Sequence, residues 1–201
     1  MIVALTDYAL VLHNLERSAE ARGETLVSGG EPVEAFFSST CGGKTENPVH
    51  AGLCPSYPVQ KTSKDPYCAA SPFGSWTLSY SLVHLQNMMN RKGYPAEGLR
   101  EIKVSKRNAS GYDNTVKYLA DNGSGIMPGK SFRYMIGSMT VKSLNFDLHQ
   151  DAAGQIVIHG AGFGHGVGLC QYGAKEMAKR GMGYHKILAK YYPKIALKKL
   201  Y

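Results

Sequence analysis

The sequence predicts an α+β fold, with a mostly antiparallel sheet, a few short helices and a long loop after the first hairpin. Strand-like alternation recurs in short segments, for example at 76–80 and 114–120, and turn residues separate these segments. Helical periodicity is confined to short stretches such as 81–91 and 171–179. The 201 residues are enough for one large domain or two small ones, and they contain no internal repeat or low-complexity tract.

The first elements are a helix and a hairpin. Thr6 or Asp7 can cap a helix over residues 7–22. Strands at 24–27 and 32–37 then form a hairpin around a Ser-Gly-Gly-Glu turn. The long loop covers residues 38–71 and contains several prolines. The remaining predicted elements are strands at 76–80, 101–106, 114–120, 139–147 and 155–159, and helices at 81–91, 129–137, 171–179 and 184–191.

The charge is concentrated near the end of the chain. The net charge is +8, and residues 175–201 hold eight Lys and Arg against one Glu. Such a segment can bind nucleic acid, an anionic wall polymer or a membrane surface, or it can be a solvated helix face. No nucleic-acid-binding motif accompanies it, so nucleic acid is not expected as a partner. No apolar run reaches the length of a transmembrane segment, and residues 1–5 lack the features of a signal peptide.

Four cysteines, Cys41, Cys54, Cys68 and Cys170, include no Cys-x-x-Cys pair, which excludes zinc ribbons and fingers. Three of them lie within 28 residues of the long loop, where a disulfide would restrict a flexible segment. Cys41 and Cys68 are the predicted disulfide pair. A composite zinc site of Cys41, Cys68, Cys170 and His165 and free buried thiols are the alternatives.

A glycine-rich motif is the most informative segment of the chain. Residues 160–174 read GAGFGHGVGLCQYGA, with six glycines around a single histidine. Glycine permits positive φ and close approach of a ligand, so the motif predicts a site around the His165 imidazole. Gln171 and Tyr172 follow the histidine within the same motif and are further candidate binding residues. The alternatives are a structural hydrogen bond for His165 and core packing for Tyr172.

A second motif, residues 36–47, reads FFSSTCGGKTEN. Its hydroxyls and its Gly-Gly bend can bind a polyhydroxylated ligand, although an ordinary Ser/Thr turn would have the same composition. The spacing does not match a Walker loop or a Gly-x-Ser-x-Gly elbow. The candidate binding residues are Ser38, Ser39, Gly42, Gly43 and Thr45.

Both motifs resemble signatures of one known family. Residues 37–46 resemble the first signature of the SpoIID/LytB family, the group of stage II sporulation protein D and amidase enhancers, and residues 162–174 resemble the second. Asp-Pro-Tyr-Cys at 65–68, Trp76 and the Ala- and Tyr-containing tail also fit. The resemblance extends over about residues 7–193, in the order that the family shows.

The resemblance implies work on peptidoglycan outside the cytoplasm, in the cell wall or periplasm. Sporulation members of the family are lytic transglycosylases, which cleave peptide-free glycan strands and leave 1,6-anhydro ends. A reaction of this kind uses the sugar's own 6-hydroxyl as nucleophile, so one acid suffices where hydrolysis needs two carboxylates. Glycan strands are the expected partner, and a wall amidase is a further one. No cofactor is implied, apart from the zinc alternative above.

The main departure from the family concerns the acid. The family's catalytic glutamate lies in a Glu-Met-Pro-like segment, which these 201 residues do not contain. We therefore expect residues 1–201 to be a SpoIID-like domain without its acid-bearing N-terminal segment. Glu46 is the candidate substitute, with pairing to Lys44 or capping of a turn as its alternative, and His165 is the second catalytic candidate. The competing hypothesis is a non-catalytic wall-binding or amidase-enhancer module.

Overall fold

The computed structural model describes residues 23–58, 62–108, 110–112 and 114–199. The predicted helix over residues 7–22 lies outside them. The described strands are, in chain order, β1 (Glu24–Ser28), β2 (Glu31–Pro32), β3 (Phe37–Ser38), β4 (Trp76–Ser81), β5 (Glu101–Arg107), β6 (Asn114–Ala120), β7 (Gly123–Pro128), β8 (Phe146–Gln150), β9 (Gln155–Gly160), β10 (Leu169–Cys170) and β11 (Ala196–Lys199). The helices are α1 (Leu82–Arg91), α2 (Gly129–Ile136), α3 (Gln171–Lys179) and α4 (Tyr184–Tyr191), with a 3₁₀ helix at Pro66–Ala70. This content confirms the α+β class.

The chain divides into two compact units, and the described residues of the smaller one are 23–34 and 194–199. Its sheet has the order β11-β1-β2, with both pairs antiparallel. The predicted hairpin is confirmed at its turn, but its second strand is only two residues long. The second of these, Pro32, has no N–H to donate to β1, and the next backbone bond to β1 comes from the Val33 N–H to the Leu26 carbonyl at 2.9 Å.

The larger unit, Ala35–Pro193, contains the main hydrophobic core. Two antiparallel sheets, β4-β9-β8 and β5-β6-β7, contribute residues to it together with α1 and α2. Leu85 and Met89 of α1, Phe132 of α2, Val116 of β6 and Ile158 of β9 are fully buried members of this core. The core therefore supports the motif segments, which belong to the same unit.

Local signals placed the helices correctly. Ser81 caps α1, because its hydroxyl accepts a hydrogen bond from the His84 N–H at 3.2 Å. The helices predicted at 129–137, 171–179 and 184–191 are confirmed within one residue. Within the described residues, no helix combines the length and apolar character needed to cross a membrane.

The predicted strand at 139–147 is wrong, because pairing begins only with β8 at Phe146. The guanidinium of Arg133 explains the difference. It donates hydrogen bonds to the carbonyls of Ser138, Val141 and Lys142, so side-chain bonds engage the backbone here. Strand β7 was missed, since its Gly-Ser-Gly start resembles a turn.

Candidate functional site

The fold brings the two sequence motifs side by side. Strand β3 of the first motif pairs in parallel with β10 of the second, a local exception to the predicted antiparallel pairing. Thr40 and Phe163 exchange two backbone hydrogen bonds, of 3.1 and 2.8 Å. The Glu46 N–H donates to the Gly166 carbonyl at 2.9 Å. Segments at least 120 residues apart in the sequence thus form one continuous backbone network.

Two glycines make this close approach geometrically feasible. Gly168 has φ +70°, and a Cβ at this position would lie 1.9 Å from the Phe36 carbonyl oxygen. Gly42 has φ +62°, and its Cβ would lie 2.7 Å from the backbone of Ala161. Any side chain at either position would force the two motifs apart. Gly42 and Gly168 therefore serve backbone packing between the motifs.

His165 ties the glycine-rich motif to β3. Its Nδ1 accepts a hydrogen bond from the Val167 N–H at 3.0 Å, and the ring also forms a backbone hydrogen bond with Phe37. Burial lowers the pKa of the imidazole, with the charge of Arg133 adding to the effect. The ring is therefore neutral near pH 7, and its Nδ1 is engaged by the backbone of its own motif. This arrangement matches the alternative in which His165 makes a structural hydrogen bond, and a catalytic role for His165 stays a prediction.

Glu46 is a buried anchor for a neighbouring loop. Its side chain is 1 % exposed, and its carboxylate accepts hydrogen bonds from the Asn47 N–H, the Asn108 amide at 2.8 Å and the Ser110 hydroxyl. These bonds fasten the loop before β6 to the first motif. Both carboxylate oxygens of Glu46 accept hydrogen bonds and are shielded from solvent. This geometry favours a role in positioning the neighbouring loop over proton transfer to a ligand. Catalysis by Glu46 stays a prediction.

The other candidates of the first motif differ in accessibility. Thr45 is buried, and its hydroxyl accepts a hydrogen bond from the Ser63 N–H at 2.9 Å, so it serves the fold. The Ser38 hydroxyl is buried without a hydrogen-bond partner among the described residues. Ser39 is half-buried and Gly43 is exposed. Gly42 is also half-buried, so Ser39, Gly42 and Gly43 are the members of this set with exposed surface.

Aromatic rings flank the candidates of the second motif. Gln171 and Tyr172 open α3 and are half-buried, and the Tyr172 N–H donates to the Ser39 carbonyl at 3.1 Å. The Phe73 ring lies edge-on to Phe163 at 5.0 Å and to Tyr172 at 6.3 Å between centroids. Phe73 and Phe163 are half-buried, and neither was a predicted site residue. Phe163 could have been noticed within its motif, whereas no signal marked Phe73.

A buried cluster of three thiols and one carboxylate lies beneath the junction of the motifs. The ligand atoms of Cys41, Asp65, Cys68 and Cys170 all lie within 4.8 Å of one another. The predicted zinc set named His165 in place of Asp65, and the structure corrects it in this respect. Cys41 and Cys68 are free cysteines with sulfurs 3.5 Å apart, so the predicted disulfide is not formed here.

Hydrogen bonds within the thiol–carboxylate cluster shift the pKa values of Cys41 and Cys68 in opposite directions. Bonds with the Cys170 and Cys41 thiols lower the pKa of Cys68, and the Gly43 N–H adds a bond of 3.0 Å to the same sulfur. Bonds to Cys170 and Cys68, together with burial, raise the pKa of Cys41. Of the two thiols, Cys68 therefore loses its proton more readily than Cys41.

Two basic side chains, at the end of α3 and in α4, contact a tyrosine of the larger unit. Arg180 and Lys190 contact the face of the Tyr67 ring, at 5.2 and 5.7 Å from its centroid. Lys190 also donates to the Lys64 carbonyl at 2.8 Å. The predicted basic segment over 175–201 is divided between the two units, because residues from Lys194 onward belong to the smaller one.

Curated relatives supply independent information on the family. The chain is 30% identical over 188 residues to stage II sporulation protein D of Bacillus amyloliquefaciens and 29% identical over 188 residues to that of Bacillus subtilis, covering 93% of this chain and 52% of each relative. It is 27% identical over 218 aligned positions to a Bacillus subtilis protein named amidase enhancer, covering 87% of this chain and 31% of the relative.

The relatives are longer than the shared region. The chain spans about half the length of the two sporulation proteins and less of the amidase enhancer. No protein-family model matches the chain. The names of the relatives nevertheless agree with the family that the two motifs indicate. The structure joins these two motifs into one backbone network. The similarity to these relatives over most of the chain supports the SpoIID/LytB family.

Proposed function

We propose that the chain binds the glycan strands of peptidoglycan in a sporulation or cell-wall remodelling process outside the cytoplasm. The binding site is the motif surface, defined here as Ser39, Gly43, Phe163, Gln171 and Tyr172. The observation that carries the proposal is the parallel pairing of β3 with β10, which brings these residues from two distant segments together. The names of the relatives support the wall-related role.

The chemistry of the motif surface suits a polysaccharide. A glycan strand presents hydroxyls, N-acetyl groups and the apolar faces of its sugar rings. The Ser39 hydroxyl and the Gln171 carboxamide supply donors and acceptors. The rings of Phe163 and Tyr172 supply flat apolar surface next to these polar groups. The surface thus pairs each kind of glycan group with a matching side chain.

The reaction proposed for this surface is lytic cleavage with a 1,6-anhydro product. Such a reaction needs an oriented strand and one acid that protonates the leaving oxygen. The surroundings of Glu46 and His165 favour positioning roles, because their polar atoms already bind the chain itself. The resemblance implies that a glutamate of a Glu-Met-Pro segment is the acid. Binding and cleavage are therefore tested separately.

Co-sedimentation with purified sacculi tests the binding. We expect the chain to pellet with sacculi and to prefer strands from which the peptides have been removed. Replacing Gln171 by alanine should weaken binding about two- to ten-fold, the cost of one or two hydrogen bonds. Gln150→Ala is the matched control, because Gln150 is an exposed glutamine of β8 outside both motifs. Absence of binding by the folded chain would refute the proposal.

Mass spectrometry of the glycan tests the cleavage. Denuded strands are incubated with the chain, and separately with a longer family member that contains the Glu-Met-Pro segment. We expect 1,6-anhydro ends from the longer protein. Reducing ends without anhydro-sugars would indicate hydrolysis and would contradict the lytic reaction.

A second candidate function is enhancement of a wall amidase, which the name of one relative suggests. Arg180 and Lys190, which lie over the Tyr67 ring, are the basic residues proposed to contact such a partner, and Arg180 also pairs with Glu176 at 2.9 Å. Adding the chain to a wall amidase would then speed the release of peptides from sacculi without producing anhydro-sugars. Unchanged amidase rates would exclude this candidate.

A further inference from the structure

We propose that Cys41, Asp65, Cys68 and Cys170 form a structural zinc site that fastens the two motifs to the 3₁₀ helix between them. The proposal does not depend on glycan binding. It differs from the sequence-based zinc prediction, which placed His165 in the site. Each residue is buried, with Cys41, Asp65 and Cys170 at 0 % exposed and Cys68 at 1 %.

The distances suit a tetrahedral ion. Two sulfurs that each lie about 2.3 Å from a tetrahedral zinc are about 3.8 Å apart. The sulfurs of Cys41 and Cys68 are 3.5 Å apart, and Cys41 Sγ is 3.3 Å from Asp65 Oδ2. The four ligand atoms lie within 4.8 Å of one another, so modest adjustments allow all four to reach one ion.

The atoms around the cluster orient its ligands as second-shell groups do in metal sites. The Gly43 N–H donates to Cys68 Sγ at 3.0 Å, and the N–H groups of Cys41 and Gly173 donate to Cys170 Sγ at 3.3 and 3.4 Å. The Tyr191 hydroxyl donates to Asp65 Oδ2 at 2.8 Å. Backbone donors aimed at sulfur stabilise thiolates, which are the form that binds metal.

The donor set selects among ions. Three thiolates favour zinc over magnesium or calcium, which prefer oxygen ligands. Four protein ligands in a buried position leave no open coordination site, which is typical of a structural ion. Binding releases the remaining thiol protons to solvent. The site would join Cys41 of the first motif to Cys170, the residue that caps α3 in the second.

Metal analysis of the full chain tests this proposal directly. Chain purified under reducing conditions with zinc present is expected to hold one zinc ion. Replacing zinc by cobalt should give thiolate-to-cobalt charge-transfer absorption together with the visible bands of tetrahedral cobalt. Neither signal requires activity or glycan. A chain with reduced thiols that retains neither zinc nor cobalt, or one with a Cys41–Cys68 disulfide in mass spectra, would overturn the proposal.

Variants identify the ligands. Cys170→Ser should reduce the charge-transfer intensity by about one third, because one of three thiolates is lost. Cys54→Ser is the matched control and should leave the spectrum unchanged, since Cys54 lies outside the cluster. A reduced spectrum in the Cys54 variant, or an unchanged one in a folded Cys170 variant, would contradict the assignment.

Two neighbouring tyrosines provide a test that preserves all four ligands. Tyr191→Phe removes the donor to Asp65 and should lower zinc affinity about ten-fold or more. Tyr192→Phe also removes a hydrogen bond, from its hydroxyl to the Phe36 carbonyl at 2.6 Å, but this bond involves none of the four ligands. Its zinc affinity should match that of the unaltered chain. Equal affinities of the two variants would refute the proposed role of Asp65.

Discussion

Replacing Glu46 by glutamine is expected to lower the free energy of unfolding by about 2 kcal/mol. The carboxylate accepts hydrogen bonds from three donors: the Asn47 N–H, the Asn108 amide and the Ser110 hydroxyl. A glutamine oxygen can face two of them, but its NH₂ group must then face the third. One buried donor is left without an acceptor, at a cost of about 1–3 kcal/mol.

Urea unfolding followed by tryptophan fluorescence measures this change. Trp76 is the only tryptophan, it is buried, and its indole N–H donates to the Gly162 carbonyl at 2.9 Å, so it reports on the larger unit. With a urea dependence of about 2 kcal/mol per molar, the midpoint should fall by about 1 M.

Glu101→Gln is the matched control, because its carboxylate is 47% exposed and pairs with Lys103 at the surface. It should change the free energy of unfolding by less than about 1 kcal/mol. If Glu46→Gln were as stable as the unaltered chain, the anchoring role would be wrong. If Glu46→Gln kept its stability but lost cleavage activity, that result would favour a catalytic role for Glu46 instead.

Two further predictions concern the glycine-rich motif. Gly168→Ala should cost about 3 kcal/mol or more, because its Cβ would collide with the Phe36 carbonyl. Gly181→Ala is the control, because Gly181 has φ +78° but no atom lies within 4 Å of the position of its Cβ, and it should cost only about 1–2 kcal/mol. Equal losses of unfolding free energy in the two alanine variants, measured by urea unfolding, would contradict the packing argument. Burial lowers the pKa of His165, so as pH falls through about 6.5 the unfolded chain binds a proton that the folded chain does not. Stability should therefore fall on acidification, and this residue contributes at most about 1.4 kcal/mol per pH unit. His165→Gln should reduce this pH dependence of stability, measured by urea unfolding at several pH values. The same pH dependence in the variant and the unaltered chain would exclude the lowered pKa of His165 as its source.

Local sequence signals predicted most elements of the larger unit. The Ser81 cap placed α1, and alternation placed β4, β6 and β9 close to their observed bounds. The failures have tertiary causes. Arg133 engages carbonyls of the segment predicted as a strand before β8, and Gly125 in β7 makes room for the Tyr118 ring, with a Cβ there only 2.3 Å from its hydroxyl.

The sequence alone determined the family and the residue types of the site, because glycines, a histidine and hydroxyls stand at characteristic spacings within two short motifs. It did not determine which side chains face a ligand. Thr45 and Glu46 lie in the same motif as Ser39, yet both are buried. Their side chains form hydrogen bonds with Ser63 and Asn108, which lie outside the motif.

Only the tertiary structure decided that Asp65, rather than His165, joins the three cysteines. Spacing along the chain carries no information on which of several distant residues meet, since that depends on the parallel pairing of β3 with β10 and on the 3₁₀ helix that carries Cys68. The motifs specify the chemistry, and the long-range backbone pairing between them decides where each group acts.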